Sequence, residues 1–470
     1  MNNLQKNIKN VMIVFLALFI ALISYMSYYY LFKSEEAIDS VYNKRTQAKN
    51  SRVLRGTIYD RDMNPLTSGE KTSEFSQTRQ YLGGEAFAHV VGYNDVIYGS
   101  SGIEKKFDKE LSGRTINSIN DIFSAADADK VGNHVVTTLN SDLQKKAYDL
   151  LGSRKGSVVA LDPTTGEVLA MVSKPSFDPN SIQEDFPTLS QDENTPFLNR
   201  AVSGLYPPGS TFKVITALSA LENMSDVRDR VFKDEGRIYF NDVESLENYN
   251  GIVMGNINLR TAFLKSSNVV FGTLAMELGN GKLKETAEKF FFNNEIPSRT
   301  LTIDNSRFPT YNAEEVGNIA QSGIGQSGVL ASPIEMALVA SAIANNGVMM
   351  EPNIVSEIID SQGKVVKEFK PEVAATVTTP ENAEILKEYM KAVVNEGTGT
   401  AASLWGIQVS GKTGTADTDS GDKIPHSWFI GFAGYDNPEI AFAIIVEEGG
   451  NDYYNASAMA GELVSTFFGR

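Results

Sequence analysis

Residues 156–173 contain two β-rich runs, Gly156-Ser-Val-Val-Ala-Leu161 and Glu167-Val-Leu-Ala-Met-Val-Ser173, with Asp162-Pro-Thr-Thr-Gly166 between them. Apolar and β-branched residues on both sides of a segment with proline and glycine predict a β-hairpin. A two-stranded ribbon is not stable on its own in water. The hairpin therefore has to pair with strands from elsewhere in the chain.

Further candidate strands lie near the C-terminus, at 406–415, 428–434 and 440–447. Residues 139–152 predict a helix with Asn140 or Ser141 as its cap, and residues 457–468 predict a closing helix. Strands at both ends with helices between them indicate a single domain. We therefore predict an α+β domain over residues 133–470, with a five-stranded antiparallel sheet flanked by helices.

An uncharged run from Val11 to Phe32 follows a short polar segment, residues 1–10. Its length suits a helix that crosses a bilayer core of about 30 Å, and four tyrosines near its C-terminal end suit an aromatic belt. A cleaved signal peptide is the alternative, but the run is too long and no small-x-small cleavage site follows it. We predict one transmembrane helix over residues 11–32.

The segment between this helix and the sheet domain, residues 33–132, has a different composition. Residues 33–52 are polar and charged and predict a juxtamembrane helix or linker. Short extended runs and turns between Arg52 and Gly113 indicate a small α+β unit, and residues 114–131 predict a polar connector. We treat 33–132 as one membrane-proximal domain with its linker.

Composition excludes several classes of function. The formal net charge of −16 argues against a nucleic-acid partner, because phosphates would be repelled. The chain has no cysteine, which removes disulfides, thiol nucleophiles and cysteine-ligated zinc. Its three histidines, His89, His134 and His426, lack the spacing of metal ligands. We expect neither a bound metal nor a cofactor.

Three short motifs occur in one order along the chain: Ser210-Thr-Phe-Lys213, Ser266-Ser-Asn268 and Lys412-Thr-Gly414. Each is weak alone, since S-x-x-K also occurs at 68–71, 361–364 and 420–423, and S-x-N recurs at 118–120. The ordered set is typical of serine enzymes that acylate on a penicillin-sensitive nucleophile. The three motifs together are therefore strong evidence for such an enzyme.

Ser210 follows Pro207-Pro208-Gly209 and opens an apolar stretch, which places it at a helix N-terminus where negative charge is favoured. Lys213 lies nearly one helical turn later on the same face. A serine hydroxyl needs a base to take its proton, and apolar neighbours lower a lysine pKa by desolvation. An N-cap serine followed by a surface lysine is the alternative for this motif alone.

Ser266 and Asn268 stand two residues apart between two helical segments, where a hydroxyl and an amide can point into one cleft. Lys412, Thr413, Gly414 and Thr415 fall inside a predicted strand. Glycine within a strand often marks a close approach of another backbone, and we expect a peptide substrate to lie there as an added strand. A helix-linking turn and a cationic edge strand are the alternatives for the two motifs taken singly.

The sequence Gly323-Ile-Gly325-Gln-Ser-Gly328 matches the G-x-G-x-x-G pattern of nucleotide-binding loops. It lacks the buried strand that precedes such loops, because residues 312–320 are polar and predict a helix. No Walker-type lysine is near. The match therefore does not predict nucleotide binding.

With these motifs, the chain resembles the class B penicillin-binding proteins, monofunctional transpeptidases of the bacterial cell wall. The likeness extends to Arg55-Gly-Thr-Ile-Tyr-Asp-Arg61 and residues 102–113, which look like the opening and close of the family's membrane-proximal pedestal. Residues 205–213, 325–333 and 427–432 resemble its transpeptidase domain. Met63 stands where the family usually has a turn glycine.

The resemblance implies a fold, a mechanism and a location. Residues 1–10 would be a cytoplasmic tail, 33–132 the linker and pedestal, and 133–470 an extracytoplasmic transpeptidase domain of a single-pass cell-membrane protein. Ser210 would attack the D-Ala–D-Ala bond of a peptidoglycan stem peptide, with Lys213 as general base and Ser266 as proton shuttle.

The remaining motif residues would bind the donor peptide. Asn268 would orient it, and Lys412 and Thr413 would hold its terminal carboxylate beside Gly414 and Thr415. The N–H groups of Thr415 and Ser210 would form the oxyanion hole.

The resemblance also implies partners and leaves alternatives open. β-Lactam antibiotics would be trapped at the same serine, and a polytopic membrane glycosyltransferase would polymerise the glycan. A D,D-carboxypeptidase or β-lactamase, a β-lactam sensor, and a catalytically idle cell-wall scaffold are the other hypotheses. The carboxypeptidase and lactamase use water as acceptor and need no pedestal, and a sensor needs a signalling domain across the membrane.

Overall fold

The computed structural model describes residues 2–32, 53–73, 76–114, 131–241, 244–417, 424–434, 437–450 and 455–470. The predicted juxtamembrane segment at 33–52 and nearly all of the predicted connector at 114–131 lie outside the described residues. Element labels below follow chain order within these ranges.

The strands are β1 (Ile58–Tyr59), β2 (Thr67–Ser73), β3 (Ser76–Tyr81), β4 (Asn94–Asp95), β5 (Gly99–Ser100), β6 (His134–Thr137), β7 (Gly156–Leu161), β8 (Val168–Lys174), β9 (Phe232–Asp234), β10 (Arg237–Tyr239), β11 (Ser245–Glu247), β12 (Gly255–Ile257), β13 (Val348–Met350), β14 (Val355–Ile359), β15 (Val365–Glu368), β16 (Val373–Thr376), β17 (Gln408–Ala416), β18 (His426–Gly434) and β19 (Ile440–Val446). The α-helices are α1 (Asn2–Phe32), α2 (Ala88–Val91), α3 (Gly102–Lys106), α4 (Asp108–Leu111), α5 (Ser141–Leu151), α6 (Ile182–Leu189), α7 (Arg200–Ser203), α8 (Lys213–Asn223), α9 (Leu259–Leu264), α10 (Asn268–Lys289), α11 (Val316–Ser322), α12 (Pro333–Ala344), α13 (Pro380–Glu396) and α14 (Ala456–Phe467). Short 3₁₀ turns occur at Gly84–Phe87, Gly209–Phe212, Tyr249–Gly251 and Thr400–Ala402.

The central sheet has the strand order β17-β18-β19-β7-β8, and every neighbouring pair is antiparallel. This confirms the predicted five-stranded antiparallel sheet. Alternate residues of β19 enter different cores: Ala443 and Ile445 pack on the side of α12, whereas Phe442 and Ile444 pack on the side of α5 and α14. Because both faces are covered, the strand is apolar throughout.

A second sheet joins distant parts of the chain in the order β1-β6-β14-β15. Strand β1 pairs in parallel with β6, and β14 pairs antiparallel with both β6 and β15. The membrane-proximal strand β1 is thereby attached to β14, which follows α12 in the sequence. Nothing local in the sequence predicts this long-range pairing.

The two pedestal-like segments meet through a buried ion cluster. The Arg55 guanidinium donates to Glu104 at 2.5 Å and to Asp108 at 2.6 Å, and Arg79 donates to the other Glu104 oxygen at 2.8 Å. Glu104 is fully buried, so these arginines supply the charge that its burial requires. Met63 has φ of +64°, the left-handed conformation that favours glycine.

Helix α1 contains a candidate membrane span, Gln5–Tyr29, none of which is buried against the protein. It is the one helix in the described ranges that is long and apolar enough to cross a bilayer. Its length and composition suit an N-terminal anchor for the folded domains.

Candidate active site

Ser210 lies in a 3₁₀ turn, Gly209–Phe212, and α8 begins directly after this turn at Lys213. The sequence predicted Ser210 at the helix N-terminus, and the structure inserts this tighter turn before the α-helix. Gly209 has φ of +53°, which suits glycine, and the Lys213 N–H donates to the Ser210 carbonyl oxygen. The turn therefore places Ser210 directly before the buried helix that begins at Lys213.

Glycines from two distant segments allow this turn to pack closely. Gly209 donates its N–H to the carbonyl oxygen of Gly325 at 3.0 Å, and a Cβ at Gly325 would lie only 2.2 Å from the Gly209 oxygen. A Cβ at Gly414 would lie 3.0 Å from the Pro208 oxygen and 2.8 Å from the Thr211 side chain. Gly325, which belongs to the G-x-G-x-x-G match, therefore packs directly against the backbone of the serine turn at Gly209.

Ser266 and Asn268 meet Lys213 at the junction between α9 and α10. The Lys213 Nζ donates to the Ser266 carbonyl oxygen at 2.8 Å, to Ser266 Oγ at 3.2 Å and to Asn268 Oδ1 at 2.7 Å. Ser266 has φ of +59°, which turns its carbonyl and hydroxyl towards the same amine. The first two motifs are thus joined by direct hydrogen bonds.

The third motif reaches the same hydroxyl from β17, an edge strand of the central sheet. Lys412 Nζ donates to Ser266 Oγ at 2.9 Å and to the Thr413 carbonyl oxygen at 3.1 Å. The Thr413 hydroxyl lies 2.6 Å from that of Thr398, a residue that the sequence analysis did not select. Ser266 Oγ therefore stands between two lysine amines.

The remaining sequence-predicted residues lie on the same strand and turn. Gly414 contacts the serine turn, and Thr415 follows it on β17 with its carbonyl oxygen directed at Gly209. A close backbone approach is present at Gly414, where a Cβ would lie 3.0 Å from the Pro208 carbonyl oxygen. Among the described residues, the Ser210 hydroxyl has no hydrogen-bond partner.

Both lysines are fully buried, and burial changes their acidity. Desolvation and the positive charge of Lys412 hold the pKa of Lys213 well below its ordinary value, while Asp234 opposes this shift. Burial alone lowers the pKa of Lys412 to about 7. A neutral amine at Lys213 can accept a proton, which is the property required of a general base.

Three polar residues that the sequence analysis missed support the Ser266 turn. Asp234, Asn248 and Ser267 are buried and hydrogen bonded to one another. Asp234 lies within Lys233-Asp-Glu-Gly236, which has the composition of an exposed turn. Within the described ranges, no group of three or more His, Asp or Glu side chains is placed to hold a metal ion.

Family models match most of the chain. Residues 156–468 match the penicillin binding protein transpeptidase domain, and residues 55–135 match the penicillin binding protein A dimerisation domain. The chain is 33% identical over 452 residues to the peptidoglycan D,D-transpeptidase PbpA of Mycolicibacterium smegmatis, covering 90% of both proteins. It is 29% identical to the peptidoglycan D,D-transpeptidase MrdA of Escherichia coli K12, covering 84% of this chain and 65% of MrdA.

Solved structures of penicillin-binding transpeptidases are also similar to this chain. The imipenem acyl-enzyme complex of penicillin-binding protein A from M. tuberculosis has a TM-score of 0.82 at 29% identity, covering 90% of this chain and all of that one. The D,D-transpeptidase domain of a peptidoglycan glycosyltransferase from Eggerthella lenta has a TM-score of 0.79 at 33% identity, covering 89% and 98%. The likeness therefore includes both the sequence and the three-dimensional fold.

Proposed function

Because the chain belongs to the class B penicillin-binding proteins, we propose that it cross-links peptidoglycan stem peptides by D,D-transpeptidation with Ser210 as the nucleophile. The observation that carries this proposal is the convergence of the three motifs. Lys213 and Lys412 both donate to Ser266 Oγ, and Lys213 belongs to the helix that continues the Ser210 turn. This arrangement supplies a nucleophile, a base and a proton relay.

The first half of the reaction forms an acyl-enzyme. Neutral Lys213 accepts the Ser210 proton as Oγ attacks the carbonyl carbon between the two D-alanines. The peptide C–N bond breaks, and the leaving amine receives a proton through Ser266, which contacts both lysines. The second half reverses these transfers: an acceptor amine attacks the ester and releases Ser210.

Donor binding is assigned to β17 and its surroundings. The peptide aligns along the free edge of β17, and its terminal carboxylate lies at Lys412 with the hydroxyls of Thr413 and Thr415. Asn268 orients the donor, and its Nδ2 is itself held by the Glu247 carbonyl oxygen at 2.8 Å. The N–H groups of Ser210 and Thr415 bind the developing oxyanion.

The alternatives differ in the acceptor. A D,D-carboxypeptidase or β-lactamase passes the acyl group to water, and a scaffold makes no acyl-enzyme. The full chain in detergent, given a stem peptide ending in D-Ala–D-Ala and an amine acceptor, is expected to release D-Ala and form the cross-linked product. Hydrolysed donor without cross-link would assign carboxypeptidase activity, and rapid turnover of penicillin would assign a lactamase.

A pH test addresses the assigned role of Lys412. Its pKa of about 7 means that the amine loses its charge as the pH rises above 7, so carboxylate binding should weaken there. We expect the second-order rate of acylation by benzylpenicillin to fall on the alkaline side. The methyl ester of benzylpenicillin, which has no carboxylate, should lack this fall. Parallel pH profiles for the acid and the ester would refute the carboxylate role.

Location and partners follow from the substrate. We assign α1 as the membrane anchor and the domains after it as extracytoplasmic, since peptidoglycan is cross-linked outside the membrane. We propose a polytopic membrane glycosyltransferase as the partner that polymerises the glycan, met through α1 and the membrane-proximal domain.

A further inference from the structure

Two buried lysines that share one hydroxyl pose an electrostatic problem. Lys213 and Lys412 both have fully buried side chains and both donate to Ser266 Oγ. Neither forms an ion pair with an acid among the described residues, although burial of a charge is costly unless it is compensated. A negative group close to the cluster is needed to balance a proton on either amine.

Asp234, at the end of β9, is the buried acid that acts on Lys213. Its carboxylate accepts from Asn248 Nδ2 at 2.8 and 3.0 Å, from Ser267 Oγ at 2.6 Å and from the Gly236 N–H at 2.9 Å. The carboxylate is thus fully hydrogen bonded, and no step assigned above uses it. Its partners Asn248 and Ser267 are themselves buried.

The Asp234 partners hold the start of α10. Asn248 Oδ1 accepts from the Asn268 N–H at 2.8 Å and from the Val269 N–H at 3.1 Å, while Ser267 Oγ accepts from the Val270 N–H at 3.0 Å. These are the N–H groups that a helix start leaves without intrahelical partners. The cap fixes the chain direction at the residues next to Ser266.

A continuous chain of hydrogen bonds connects the acid to the base. It runs from the Asp234 carboxylate to Asn248 Nδ2, from Asn248 Oδ1 to the Asn268 N–H, and from Asn268 Oδ1 to Lys213 Nζ. A second branch runs through Ser267, whose neighbour Ser266 accepts from both lysines. Both branches end on groups that the mechanism requires.

We propose that Asp234 is a positioning residue for acyl transfer, which through Asn248 and Ser267 holds Ser266 and Asn268 against Lys213 and supplies the balancing negative charge. This inference rests on the proposed function and adds a residue to it. Two charged groups act on the Lys213 amine, namely Lys412 from β17 and Asp234 from β9. They act in opposite directions, so Asp234 sets how far Lys412 and burial lower the Lys213 pKa.

The test is the pH dependence of acylation by benzylpenicillin in the full chain, compared with Asp234→Asn. Asparagine keeps the side-chain shape but removes the charge and one acceptor. We expect the acylation rate at neutral pH to fall roughly 10- to 100-fold, as for loss of hydrogen bonds to a charged group. Because a lost negative neighbour lowers a lysine pKa, the rising limb of the profile should also move to lower pH.

Two further variants distinguish the effect of the Asp234 charge from that of its hydrogen bonds, and from the effect of removing any buried carboxylate. Ser267→Ala keeps the carboxylate but removes two hydrogen bonds, the one that Ser267 Oγ donates to Asp234 and the one that it accepts from the Val270 N–H. Its acylation rate should therefore fall while the rising limb of its pH profile stays in place. Asp60→Asn is the matched control: Asp60 is buried and accepts from Ser141 Oγ at 2.5 Å and from the Asp62 and Asn64 N–H groups, but it lies in the membrane-proximal unit. It should acylate at the wild-type rate.

Each outcome decides between the hypotheses. If Asp234→Asn and Ser267→Ala both acylate at the wild-type rate with an unmoved rising limb of the pH profile, the positioning role is overturned. If the wild-type protein itself is not acylated, the proposed function is overturned. A lower rate with an unmoved limb in Asp234→Asn would overturn the charge contribution. If Asp234→Asn does not fold, Ser267→Ala decides, and a wild-type rate there overturns the inference.

Discussion

Replacement of Lys213 by methionine is expected to lower the rate of acylation by benzylpenicillin about 10²- to 10⁴-fold, the usual contribution of a positioned general base. Methionine retains the buried apolar stem but cannot accept the Ser210 proton. The acceptors Ser266 and Asn268 lose their shared donor in this variant. The measurement is the second-order rate of acylation with a fluorescent penicillin at neutral pH.

Lys174→Met provides a matched control for loss of a partly enclosed lysine. Lys174 Nζ donates to the Gly152 carbonyl oxygen at 2.6 Å and lies over the Tyr148 ring at 3.5 Å. Lys174 is on β8, the edge strand of the central sheet opposite β17. This variant is expected to acylate at the wild-type rate. A folded Lys213→Met protein that acylates as fast as Lys174→Met would assign the base to another residue.

Replacement of Gly325 by alanine is the second change with a large expected effect. Gly325 has φ of +76°, which costs an L-residue about 1 to 2 kcal/mol, and its Cβ would also overlap the Gly209 oxygen at 2.2 Å. The serine turn has to move to relieve this overlap. Because a displacement near 1 Å can cost about 10²-fold in rate, we expect at least that loss in acylation, together with a lower melting temperature.

Gly328→Ala separates the overlap from the backbone cost. Gly328 has φ of +81°, but the nearest atom to its Cβ would be the Tyr311 hydroxyl at 3.2 Å. This variant should lose stability through its backbone conformation and keep most of its acylation rate. Equal losses of acylation in the two variants would show that Gly325 does not support the turn specifically.

Local sequence signals predicted the central sheet well because its strands have unambiguous boundaries. The turn Asp162-Pro-Thr-Thr-Gly166 separates β7 from β8, and Asn140 caps α5 as its residue type indicates. The strands at the C-terminus agree with prediction to within two residues. Proline, glycine and capping residues act over a few positions, so their effects are visible without the fold.

The second sheet and the Asp234 network were not predictable, because they depend on contacts between distant parts of the chain. Strand β14 pairs with β6 across more than two hundred residues, and β1 is only two residues long. The buried Asp234 accepts hydrogen bonds from Asn248 and Ser267, which lie in separate segments of the chain. Such groups acquire their role through tertiary contacts, which residue type and spacing do not reveal.

The candidate active site depends both on local sequence signals and on tertiary contacts. Motif order placed Ser210, Lys213, Ser266, Asn268 and Lys412 in one cleft, and the structure brings the last four into one hydrogen-bonded cluster beside the serine turn. The glycines at 325 and 414 were noticed in the sequence, but their close neighbours belong to the serine turn itself. Glycine predicts a close approach without naming the partner.

The central claim is that Ser210 is the acylating nucleophile. It is tested most directly by intact-mass spectrometry of the full chain in detergent after incubation with benzylpenicillin, beside Ser210→Ala. We expect a stable adduct of one penicillin on the wild type and none on the variant. No adduct on either protein, or an equal adduct on both, would contradict the assignment of Ser210.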